Sequence, residues 1–170
     1  ADAGYYVPTT AQSAQTACSI GTYQALNGQS SCDGADAGYY VSSTGQSSQT
    51  ACSVGTYQAD SGETSCDDAT AGYYVSTTGQ SSQTVCAIGT YQATTGQSSC
   101  DDVDAGYYVS TTAQSAQTAC LEGTYNPNTG STSSSACRDA DQYPPALQES
   151  ERMPPARHPK QHIYIYIYIY

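Results

Sequence analysis

Apolar and polar positions along this chain recur every 17 residues. A Gly-x-Tyr triplet begins at Gly4, Gly21, Gly38, Gly55, Gly72, Gly89, Gly106 and Gly123. The β-favouring Tyr, Val and Thr gather around that triplet, and Ser, Gly and Asn punctuate the rest of each unit. A second glycine stands seven residues after the first in six copies: Gly28, Gly45, Gly62, Gly79, Gly96 and Gly130. Ala11 and Ala113 hold that place in the other two. No 3.6-residue apolar period accompanies this pattern, so helices are not expected.

Each unit reads as a short hairpin. Gly-Thr-Tyr-Gln-Ala is the outgoing strand, Asp60-Ser61-Gly62 or Thr94-Thr95-Gly96 the turn, and Gln-Ser-Ser-Cys the return strand. An isolated hairpin is marginal in water, so the units must stack, with stability summed over neighbours. The units alternate in kind. One reads Cys-x-x-Gly-Thr-Tyr and closes on a second cysteine; the other reads Ala-Gly-Tyr-Tyr-Val and has none. The full repeat is therefore 34 residues, the length of a tetratricopeptide repeat, but the β-favouring residues and turn signals exclude that helical reading.

The expected fold is all-β and disulfide-rich, an elongated stack of eight hairpins over residues 1–138. With no Trp, no Phe and one Met, a wide apolar interior is not available. The expected core is thin: Val7, Val41, Val75 and Val109 with the periodic tyrosines, plus Ile20, Val54, Ile88 and Leu121 near the first cysteine of each cysteine unit.

Eight cysteines in such a chain read as a disulfide framework formed in an oxidising compartment. Two pairings fit the repeat. Bridges within units would join Cys18–Cys32, Cys52–Cys66, Cys86–Cys100 and Cys120–Cys137; bridges across the cysteine-free units would join Cys32–Cys52, Cys66–Cys86 and Cys100–Cys120. The first is favoured, because it uses every cysteine and keeps a turn glycine inside each loop. In the cysteine-free units the bridge places hold Ala1 and Gln15, Ala35 and Gln49, Ala69 and Gln83, and Val103 and Gln117. Those units are expected to be the softer half.

Charge narrows the function. Fifteen acids face four Lys and Arg, and the first cation is Arg138. Nucleic acid is excluded as a partner, as is charge-driven binding to anionic membranes, and no apolar run is long enough to span a bilayer. The repeats contain no His, Lys or Arg, so their many hydroxyls lack a base and no catalysis is expected. No cofactor is expected either. Acids cluster at Asp33 and Asp36, Asp67 and Asp68, and Asp101, Asp102 and Asp104. They offer oxygen ligands for Ca²⁺, but the spacing matches no calcium loop, and solvated acidic turns are the favoured reading. Zinc is disfavoured because no Cys-x-x-Cys occurs. The outer residues of the tyrosine doublets, Tyr5, Tyr39, Tyr73 and Tyr107, point away from their neighbours along a strand and are candidates for an exposed ladder. Ser42-Ser43-Thr44, Ser76-Thr77-Thr78, Ser110-Thr111-Thr112 and Thr129–Ser135 invite O-glycosylation.

Cys-x-x-Gly-Thr-Tyr with a glycine after it and a closing cysteine resembles the ephrin-receptor-like cysteine-rich repeat. It is also similar to the first module of tumour-necrosis-factor-receptor cysteine-rich domains. The match covers Cys18–Cys32, Cys52–Cys66, Cys86–Cys100 and Cys120–Cys137. The resemblance implies a secreted or surface location and bridges within units. It departs at Ala35, Ala69 and Val103, where the family would carry cysteine. The expected role is a structural component of an extracellular filament, stalk or coat, with copies of itself or other coat proteins as partners. A receptor-like or adhesin module that binds a protein or glycan is the alternative.

Ala1 lies inside a repeat and reads as a mature or truncated start. Residues 139–170 lose the pattern. They are Pro-rich, end in four Ile-Tyr copies, and read as disordered or as read-through of an alternating A/T microsatellite.

Overall fold

The computed structural model describes residues 1–9 and 13–139. The expectations for residues 140–170 lie outside them. Among the described residues the fold is all-β with one short 3₁₀ turn at Ser134–Ala136. Sixteen two-residue strands among the described residues pair antiparallel, one pair per repeat unit. Strand β1 (Tyr5–Tyr6) pairs with β2 (Thr16–Ala17), and β3 (Thr22–Tyr23) with β4 (Asp33–Gly34). Next come β5 (Tyr39–Tyr40) with β6 (Thr50–Ala51) and β7 (Thr56–Tyr57) with β8 (Asp67–Asp68). Then β9 (Tyr73–Tyr74) pairs with β10 (Thr84–Val85) and β11 (Thr90–Tyr91) with β12 (Asp101–Asp102). The series closes with β13 (Tyr107–Tyr108) on β14 (Thr118–Ala119) and β15 (Thr124–Tyr125) on β16 (Arg138–Asp139).

The hairpins are shorter than their sequence suggests. Gln-Ser-Ser-Cys is not the return strand; the return lies beyond the cysteine, where Asp67 faces Tyr57 and Asp68 faces Thr56. The reason is where the loop's backbone groups go. Counting units from Ala1, the seventh residue of each unit donates its N–H to the twelfth of the next unit, as Val41 does to Glu63 and Gln58 to Gln80. The glycine at the fourth place donates to the seventh residue of the next unit, as Gly38 does to Gln58. The eleventh residue donates back to the first residue of the preceding unit, as Gly62 does to Ala35. These three bonds recur at every joint, so backbone that cannot extend its own ladder is satisfied by its neighbours.

Stacking also reaches past the nearest neighbour. A methyl group on Gly38 would lie 2.8 Å from the carbonyl carbon of Gly79, two units on. Gly4 meets Gly45, Gly21 meets Gly62 and Gly55 meets Gly96 in the same way. Glycine at this place meets two demands: its φ is positive, +87° at Gly38, and it must let another backbone approach. Units of one kind therefore touch directly, and the array is two interleaved columns, one of cysteine units and one of tyrosine-doublet units.

The core is a spine at the first, fourth and seventh places of the inner units; at the ends it thins, and Val7, expected in the core, is only half-buried. Cys18, Ala35, Cys52, Ala69, Cys86 and Val103 are 0% exposed. At the seventh place Val41, Val75 and Val109 are buried in one column, and Gln24, Gln58 and Gln92 in the other. Ile20, Val54, Ile88 and Leu121 do not join the core; they are 55%, 45%, 50% and 80% exposed. The first three occupy the tip of a tight turn, closed in the first unit of the column by the Thr22 N–H on the Ser19 carbonyl, which points the side chain outward. The periodic tyrosines, such as Tyr23 and Tyr57, are half-buried flanks of the spine rather than its centre.

Candidate interaction surfaces

Two devices close the units, and they set what each column shows to solvent. In the cysteine column, disulfides join Cys18–Cys32, Cys52–Cys66, Cys86–Cys100 and Cys120–Cys137. The first three have Cα atoms 5.8 Å apart, within the ordinary range for such bridges. The last closes a longer loop, and the Ser134–Ala136 turn takes up the extra residues.

In the other column a glutamine replaces the second cysteine. Gln49 accepts the Asp36 N–H at 2.6 Å and donates its amide to the Asp36 carboxylate, also at 2.6 Å. Gln15 holds Asp2, and Gln117 holds Asp104, by the same pair of bonds. Gln83 accepts from both the N–H and the hydroxyl of Thr70. The clasp ties the fifteenth place of the unit to the second, next to where the disulfide ties the fifteenth to the first. It is a noncovalent counterpart of the bridge.

The buried glutamines of the cysteine column are a role that sequence reasoning missed. Gln58 accepts the Asp60 N–H at 3.0 Å and donates to the Ser65 carbonyl at 2.9 Å, spanning its loop from inside. Gln24 and Gln92 do the same, and each also donates to an aspartate, Asp33 or Asp101. In the last unit the shorter Asn126 donates instead to the Tyr107 carbonyl of the preceding unit and to the Ser131 hydroxyl. Gln at this place in cysteine units and Val in the others is a visible alternation, and it is the signal that marks the role.

The acids named at the joints divide by task. Asp36 and Asp104 serve the glutamine clasps, and Asp33 and Asp101 meet the buried glutamines. Asp67, Asp68 and Asp102 are exposed on the return strands. Among the described residues no group of three or more His, Cys, Asp and Glu is arranged to hold a metal ion.

Of the tyrosine-ladder candidates, Tyr5, Tyr39 and Tyr73 are half-buried, and Tyr107 is 36% exposed. Tyr5 and Tyr39 lean along the stack: the Tyr5 hydroxyl lies over Gly45 and the Tyr39 hydroxyl over Gly79, each two units on. What this column does expose is hydroxyl residues, in Ser42-Ser43-Thr44, Ser76-Thr77-Thr78 and Ser110-Thr111-Thr112. Among the described residues no helix is long and apolar enough to cross a membrane. No protein-family model and no curated protein matches this chain.

Proposed function

We propose that this array is a structural element of an extracellular filament, stalk or surface coat. The observation that carries the reading is the recurrence of the same three inter-unit hydrogen bonds at every joint, in units each closed by a bridge or a clasp. Such a design supplies length from identical parts and suits repeat architectures that grow by addition. Four disulfides in a chain with so thin a core fit an oxidising compartment outside the cell. The lack of Lys and Arg before Arg138 leaves trypsin-like proteases no site in the array. The exposed hydroxyl triplets would present O-glycans on the tyrosine-doublet column, outside the spine. Immunogold electron microscopy of the native source, with antibodies against the whole chain, tests the reading. Label along filaments or on a surface layer is expected; label confined to the cell interior overturns it, and label on isolated particles that bind one glycan or protein favours the receptor-like or adhesin module instead.

A further inference from the structure

The cysteine column carries a feature that its turns do not require. Ile20, Val54 and Ile88 sit at successive turn tips, 34 residues apart, each about half exposed. The sister units form the same turn with alanine at that place: Ala37 precedes Gly38 just as Ile20 precedes Gly21, and the turn bonds Tyr39 to Asp36 as it bonds Thr22 to Ser19. The β-branched side chains thus add nothing that the turn needs. They recur once per unit of a column whose units touch one another, Gly21 against Gly62 and Gly55 against Gly96.

Acids that no cation neutralises stand on the same hairpins. The strand that leaves each turn tip pairs with an acidic one, so that Tyr23 faces Asp33, Tyr57 faces Asp67 and Tyr91 faces Asp101. No Lys or Arg precedes Arg138. A second copy brought against this strip would add carboxylates to carboxylates. A partner that supplies both cations and apolar groups would satisfy both sets at once.

We propose that the Ile20–Val54–Ile88 strip is a docking surface for an extended cationic polypeptide with apolar side chains between its charges. The apolar side chains supply contact area and the acids of the same hairpins supply attraction and register. This goes beyond the structural role above and does not depend on it, since a strip of this kind would serve a filament or a free module equally.

The test is binding of a synthetic peptide of alternating leucine and lysine to the whole oxidised chain, measured by fluorescence anisotropy. The comparison is the triple variant Ile20→Ala, Val54→Ala, Ile88→Ala, which places the sister residue at each turn and is checked for four intact disulfides by mass. Affinity is expected to fall about tenfold or more in the variant, while an alanine-lysine peptide does not distinguish the two proteins. Equal binding of the leucine-lysine peptide to both proteins, or no binding to either, overturns the proposal. So does self-association of the native chain that the variant loses in analytical ultracentrifugation, because the strip would then be a contact between copies.

Discussion

Replacing Gly38 with alanine should be far more damaging than replacing Gly62, although both have left-handed φ, +87° and +80°. An L-residue there costs about 1–2 kcal/mol, partly offset by the roughly 0.4–1 kcal/mol gained from stiffening the unfolded chain. A methyl on Gly62 meets nothing within 4 Å, so Gly62→Ala should cost about 1 kcal/mol or less. A methyl on Gly38 would sit 2.8 Å from the Gly79 carbonyl carbon, which is backbone and cannot swing aside. Relief requires the third and fifth units to part. That strains the Gly38 bond to Gln58 at 2.7 Å and the Gly79 bond to Cys52 at 2.9 Å. Overpacking of about 1–3 kcal/mol, added to weakening of two bonds worth about 1 kcal/mol each, brings Gly38→Ala to about 3–5 kcal/mol. Amide hydrogen exchange under oxidising conditions resolves the effect unit by unit, which a global melt of a repeat array does not. Protection should fall at the Gly79 amide, two units from the substitution, and not only beside it. Equal losses for the two substitutions, or an unchanged Gly79 amide in Gly38→Ala, would refute contact between units of one column.

Other substitutions probe the remaining devices. Ala113 is the described non-glycine residue with positive φ, +61°, so Ala113→Gly should stabilise its unit by about 0.5–1 kcal/mol in the same exchange experiment. Gln58→Val, which imports the residue of the other column, removes the bonds to the Asp60 N–H and the Ser65 carbonyl, both on exposed residues, and should cost about 1–3 kcal/mol. Gln49→Ala opens an exposed clasp and should cost only about 1 kcal/mol, read at the Asp36 amide. Ala35→Cys with Gln49→Cys should form a fifth disulfide on air oxidation, seen as no free thiol by mass, and raise stability by about 3 kcal/mol through loop-closure entropy.

Much of the architecture was legible because glycine spacing is a backbone signal. Gly4, Gly21 and their successors mark each turn whatever surrounds them, and from that period came the unit, the β class and the alternation of kinds. The strand pairing was not legible, since Gln-Ser-Ser-Cys has the pattern of a return strand and only its competing bonds to the preceding unit show otherwise. Ile20, Val54 and Ile88 misled for a related reason. Hydrophobicity predicts burial only where there is an interior to enter, and a spine one residue wide is already filled by Cys18, Cys52, Cys86 and the glutamines beside them. The buried glutamines look like surface residues until each is seen to span its own loop, as Gln58 does from the Asp60 N–H to the Ser65 carbonyl.

The contact between units of one column changes how the array should lose structure. In a purely nearest-neighbour stack, a clasp unit such as the third, closed only by Gln49 and Asp36, could open by giving up its bonds to the second and fourth. Here its glycine at the fourth place also packs against the fifth unit, and its turn glycine, Gly45, lies under Gly4 and Tyr5 of the first. Opening it therefore disturbs four units, two of them closed by disulfides. Alternating a covalent closure with a hydrogen-bonded one then leaves no two adjacent units free of a cross-link. The cooperativity that a thin apolar core does not supply comes from backbone that reaches two units along the chain.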